Sequence, residues 1–106
     1  MTTLEKMKRL EKYLASDVSA SDPVLDLTIE KLLKRETARV TDIQQRLMKQ
    51  VEEFEDRYGL KTAEFRERYD KGLMGDEMDF VEWSATIDML ANIQKSLDLL
   101  QEGSLS

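Results

Sequence analysis

The chain reads as an all-α protein: a long antiparallel, coiled-coil-like helical hairpin with a short helix at the bend and a separate N-terminal helix. Three observations lead there. Apolar residues recur at steps of three and four from Leu25 to Tyr58 and again from Phe80 to Leu100, which keeps each set on one face of a helix. Gly59-Leu60 and Gly72-Leu73 have the form of helix ends that stop in a left-handed residue followed by an apolar contact. A single proline and a charged content of 36% across 106 residues suit helices with solvated faces.

The first helix is expected over residues 3–14, with Leu4, Met7, Leu10 and Leu14 on one side. Lys6, Lys8, Arg9 and Lys12 make its remaining surface mildly basic. That face admits a nucleic-acid or partner-binding arm; a plain solvated face, balanced by Glu5 and Glu11, is preferred. Ala15 to Asp22 is small, polar and turn-prone, so it reads as a linker. The chain therefore divides into an N-terminal helix with linker, 1–22, and a hairpin domain, 23–106.

The second helix carries the ladder Leu25, Ile29, Leu32/Leu33, Val40, Ile43, Leu47, Val51, Phe54 and Tyr58. Ser21-Asp22-Pro23 marks its start, with a capping side chain before a first-turn proline. Gly59 marks its stop. At about 1.5 Å per residue it extends roughly 54 Å, too long to bury its stripe without another helix or another chain. Glu36 alone interrupts the stripe, and a loosely packed point open to solvent is preferred there over a buried register-setting residue. Glu30–Lys34, Asp42–Arg46, Lys49–Glu53 and Glu53–Arg57 are spaced to pair along the outer face.

A short third helix is expected from Ala63 to Lys71, capped by Thr62, with Glu64–Arg68, Arg66–Asp70 and Glu67–Lys71 pairs. The last helix is expected from Glu77 to Gln101, capped by Asp76 and ending before Gly103, with Phe80, Trp83, Ile87, Leu90, Ile93, Leu97 and Leu100 as its ladder. Val40, Ile43, Leu47, Val51, Phe54, Trp83, Ile87, Leu90 and Leu97 are the expected packing residues of hairpin and dimer. Six of the seven aromatic residues lie between Phe54 and Trp83, which predicts a packed cluster at the bend rather than an aromatic ligand pocket. Each stripe of the hairpin has one partner within the chain, so pairing of two copies into a helical bundle is expected.

Charge narrows the function. The net charge is −6, and residues 76–106 account for it: Lys95 stands against Asp76, Glu77, Asp79, Glu82, Asp88, Asp98 and Glu102. Such a segment repels phosphate and attracts basic protein surfaces. Nucleic acid is disfavoured as a partner, with the N-terminal helix the one surface suited to it. Cysteine and histidine are absent, which removes thiolate ligands, disulfides, the commonest zinc ligand and the commonest general base. No apolar run approaches a membrane span, and a cytoplasmic location is expected.

One carboxylate constellation is a candidate for chemistry: Glu52, Glu53 and Asp56 on the second helix with Glu82 and Asp88 on the last. All-α nucleoside triphosphate pyrophosphatases hold Mg²⁺ with helical Glu and Asp, as that ion's demand for oxygen ligands requires. Here Glu52-Glu53-x-x-Asp56 is a near match, but Glu82 is followed three residues later by Ala85, so the second half fails. A Mg-dependent hydrolase is therefore a remote alternative, and no catalytic, cofactor or metal residue is expected.

Tyr58-Gly59, Glu64-Phe65, Gly72, Gly75-Asp76, Asp79-Phe80 and Glu82-Trp83 resemble the shared features of a family of small, mostly uncharacterised helical proteins of bacteria and archaea. The likeness covers about a third of the chain. Some members lie beside toxin-like genes, so the resemblance implies an antitoxin-like role; it carries over no catalytic residues. The expected function is a non-enzymatic protein–protein interaction module that covers a basic site on a toxin partner through Asp79, Glu82, Asp88 and Asp98. A self-assembling scaffold is the alternative.

Overall fold

The computed structural model describes residues 1–16 and 22–102. They form four helices and no strand: α1 (Thr3–Leu14), α2 (Pro23–Tyr58), α3 (Thr62–Asp70) and α4 (Met78–Gln101). The expected linker falls largely on residues 17–21 and the expected stop at Gly103 on 103–106, both outside the described residues. The chain divides into two compact units, Met1–Leu33 and Lys34–Ser106, with the division inside α2.

In the first unit, Thr2 caps α1 by accepting the Glu5 N–H at 3.1 Å. Asp22 caps α2 as its position before Pro23 predicts: its Oδ1 accepts the Val24 and Leu25 N–H groups at 2.9 and 3.3 Å. α1 contains no buried residue. Leu4, Met7, Tyr13 and Leu14 of α1 are exposed, as are Val24, Leu27, Leu32 and Leu33 of α2.

The second unit is an antiparallel hairpin of α2 and α4 with α3 at the bend. Val40, Leu47 and Phe54 of α2 are buried, as are Phe80, Trp83, Thr86 and Leu97 of α4. Ile43, Val51, Ile87, Leu90, Ile93 and Leu100 are half-buried along the same seam. Gln44 Nε2 donates to Gln94 Oε1 across it at 3.0 Å. The bend holds the core: Phe54, Phe65, Phe80 and Trp83, flanked by Tyr58 and Tyr69. Phe65 and Trp83 are fully buried and stack with centroids 3.9 Å apart and planes 3° from parallel. Trp83 also stacks on Phe54 at 5.6 Å.

Both glycine stops form. Gly59 and Gly72 have φ of 60° and 74°, and the N–H groups of Leu60 and Leu73 return to Glu55 and Arg68 carbonyls at 3.3 and 2.9 Å. This is the six-to-one bond of a Schellman ending.

Three local expectations are corrected. Thr62 does not cap α3; it is the first helical residue, with Lys61 at the cap position and no side-chain cap bond from that residue. Instead the Thr62 N–H donates to Glu55 Oε2 of α2 at 2.8 Å, so a carboxylate from the preceding helix satisfies the free donor. Thr62 Oγ1 in turn accepts the indole N–H of Trp83 at 3.3 Å. The α4 cap position is Glu77, without a side-chain bond, and not Asp76. Arg57 reaches Asp79 of α4 at 2.8 Å rather than Glu53 on its own helix, because the hairpin brings a carboxylate beside it. Of the other expected pairs, Asp42–Arg46, Arg66–Asp70 and Glu67–Lys71 form. Glu36 is half-exposed and bonds Arg39 at 3.0 Å.

Candidate functional site

Two rows of side chains leave a groove between α2 and α4 on one side of the hairpin. From α2 come Gln50, Glu53, Phe54 and Arg57; from α4 come Asp79, Glu82, Ala85, Thr86 and Met89. The α2 spacing of three, four and seven residues is one helical face, so the groove follows the helix axes over about two turns. Its volume is about 510 Å³, within the range of a ligand or peptide site.

Its electrostatics follow from which charges are consumed inside the fold. Arg57 Nη1 donates to Asp79 Oδ2 at 2.8 Å, and the Tyr58 hydroxyl donates to the same oxygen. Those two bonds, the tyrosine's first, hold the Asp79 carboxyl below the usual carboxylate range. The bond to Asp79 raises the Tyr58 hydroxyl above the ordinary phenol value, with burial adding to it. Arg57 also lies 5.8 Å from the Phe54 ring centroid. The Arg57–Asp79 pair thus cancels within the groove, and Glu53 and Glu82, one exposed carboxylate on each helix, supply its net negative charge. Thr86 is buried and gives its hydroxyl to the Glu82 carbonyl at 2.8 Å, so it serves as floor.

The four acidic residues expected to bind a partner do not form one patch. At about 100° per residue, Asp79 and Glu82 lie some 60° apart, whereas Asp88 falls about 180° from Asp79. Asp79 and Glu82 meet in the groove. Asp88 faces α3, where it accepts from Arg66 Nη2 at 3.0 Å, and Arg66 also bonds Ser84 Oγ at 2.8 Å. Asp98 lies near the end of α4 with Lys95, Leu99 and Glu102 and accepts from Gln94 at 3.1 Å. Nor do Glu52, Glu53, Asp56, Glu82 and Asp88 converge as Mg²⁺ ligands: among the described residues, no group of three or more Asp or Glu is placed to hold a metal ion.

Sequence reasoning missed Gln50, Thr86 and Met89 as lining residues and Arg57 and Arg66 as the cations that occupy Asp79 and Asp88. The only available signal was that Phe54 and Trp83 share the seam, which sets the register that brings Glu53 near Glu82.

No family model matches the chain, and no curated protein or solved structure matches it either. No helix among the described residues is long and apolar enough to cross a membrane.

Proposed function

We propose that this chain is a non-enzymatic protein-binding module whose acidic last helix covers a basic surface on a protein partner. The observation that carries the reading is the exposure of Asp76, Glu77, Glu82, Asp98 and Glu102, with Lys95 the only base in that segment. Opposite charge across an interface steers association and selects the partner. The resemblance at Tyr58-Gly59 through Glu82-Trp83 favours a neutraliser of the antitoxin type, with a nuclease or nucleotidyltransferase as the kind of basic protein covered. Asp79 and Asp88 are engaged within the fold by Arg57 and Arg66; Glu82 and Asp98 are the residues offered outward.

Tagged protein retrieves the partner from its native host, and the binary affinity is then measured by calorimetry. Glu82→Lys with Asp98→Lys weakens binding about tenfold or more and flattens its salt dependence. Unchanged affinity in that double variant sinks the proposal.

A further inference from the structure

We infer that the groove between α2 and α4 receives an amphipathic helix of a protein partner, one that carries an arginine or lysine with large apolar residues one and two turns away on the same face. This rests on the acidic-helix reading proposed above and names the element that the partner brings to it. Every residue that carries it lies between Gln50 and Met89, within one compact unit.

The register of the hairpin orders the groove into levels. Nearest the bend, Arg57 bonds Asp79 at 2.8 Å. About one turn further along, Phe54 of α2 stacks on Trp83 of α4 at 5.6 Å. Glu53 and Glu82 adjoin these two rings in sequence and both line the groove, so antiparallel pairing sets two exposed carboxylates on opposite walls at one level. Ala85 and Met89 follow, about 4.5 and 10.5 Å along α4 from Glu82. Ala85 is exposed, and Met89 is 45% exposed. The groove therefore runs from a cancelled ion pair, through a doubled negative charge, to an apolar end.

Charge complementarity selects the occupant. A cation at the Glu53–Glu82 level meets a carboxylate on each wall, an arrangement that the planar fork of arginine suits best. A second cation one turn nearer the bend would meet the Arg57 guanidinium, which lies 5.8 Å from the Phe54 ring centroid, so a uniformly basic stretch fits poorly. Apolar side chains one and two turns in the other direction reach Ala85 and Met89, while the aliphatic stem of the cation packs on the groove floor. Residues at those spacings share one face of a helix. An extended segment would instead present unpaired backbone N–H and C=O groups to two helices whose own are bonded internally. Both carboxylates repel a phosphate-bearing ligand. An amphipathic helix lying in a groove is a recurrent recognition mode.

The experiment is calorimetry of the full chain with a synthetic probe: a constrained Ala/Gln helix of about 16 residues bearing one Arg, with Leu at the fourth and seventh positions after it. Wild type binds it one to one with a dissociation constant on the order of 100 μM or tighter. Glu53→Lys with Glu82→Lys weakens binding about tenfold or more, and that variant instead takes the probe in which Glu replaces Arg. Met89→Asn weakens it about fivefold, and Asp98→Lys, outside the groove, leaves it unchanged. A probe with its Leu pair moved to the opposite face binds at least about fivefold more weakly. Fluorescence of Trp83 confirms that every variant keeps the bend intact. Absent binding, equal binding of the displaced-Leu probe, or indifference to the Glu53 and Glu82 changes overturns the inference. So does a wild-type mass that doubles with concentration from 12.3 kDa only while Glu53 and Glu82 are present, which makes a second copy the occupant. Tighter probe binding by Lys6→Glu with Arg9→Glu overturns it in favour of α1. Loss of the native partner in Glu82→Lys with Asp98→Lys, beside a probe that does not bind, leaves the acidic-helix reading standing and removes this one alone.

Discussion

Phe65→Ala tests the aromatic bend most directly. Phe65 is fully buried, stacks on Trp83 at 3.9 Å, and meets Tyr69 and Phe80 at 5.4 and 5.9 Å. Truncation removes the ring's burial and leaves a cavity beneath an indole that is already bonded to Thr62 and cannot simply fall inward. Phe→Ala changes at such sites cost about 3–5 kcal/mol, a large share of the roughly 5–15 kcal/mol available to a domain. At about 4 °C per kcal/mol for a chain of this size, the melting temperature drops roughly 12–20 °C. Urea unfolding followed by far-UV dichroism gives the loss directly, and the emission of the one tryptophan reports whether its stacking partner is gone. Leu99→Ala, at a position 72% exposed, serves as the comparison and stays within about 0.5 kcal/mol. A loss below about 1 kcal/mol for Phe65→Ala would show that the hairpin does not depend on its bend for stability.

The Asp79 bonds predict an acid-sensitive component of stability. Because the folded carboxyl titrates below its ordinary value, its contribution is present at neutral pH and is lost as pH falls below about 4; Asp79→Asn flattens the acid limb of a melting-temperature profile. The Tyr58 hydroxyl titrates above its ordinary value, so its contribution persists up to about pH 10 and fades at higher pH. Tyr58→Phe removes that alkaline dependence, and an unchanged profile in both variants refutes the bridge. Gly59→Ala costs about 1 kcal/mol in a urea titration, because an L side chain is strained at φ 60° although no atom lies within 4 Å of the added Cβ. A neutral Gly59→Ala would mean that the stop at Tyr58 does not require the left-handed residue.

Helix positions were legible wherever the signal is local. Asp22-Pro23 and Gly59-Leu60 bound α2 at the residues predicted, because a cap and a left-handed stop are written in adjacent positions. The same reasoning misassigned the α3 cap. Thr62 was the nearest suitable side chain, yet the donor that needed an acceptor was its own N–H, and Glu55 supplies it from the preceding helix across the turn. Thr86 was invisible for a related reason: it occupies a core position between Trp83 and Leu90, and its hydroxyl is made tolerable there by the Glu82 carbonyl, a bond that hydropathy does not register.

The candidate site was legible as charge but not as geometry. Counting carboxylates in residues 76–106 identifies the acidic segment and treats its members as equivalent. Folding separates them by what the hairpin sets beside each one. Asp79 meets a guanidinium and a phenol from α2, and Asp88 meets the guanidinium of Arg66 on α3. Each pairing joins residues more than twenty positions apart, so no local spacing rule announces it. These ion pairs are partly exposed and individually weak, yet they decide availability. Charge reversal at Asp88 would disturb the α3–α4 contact as well as any interface, whereas reversal at Glu82 alters an exposed groove wall.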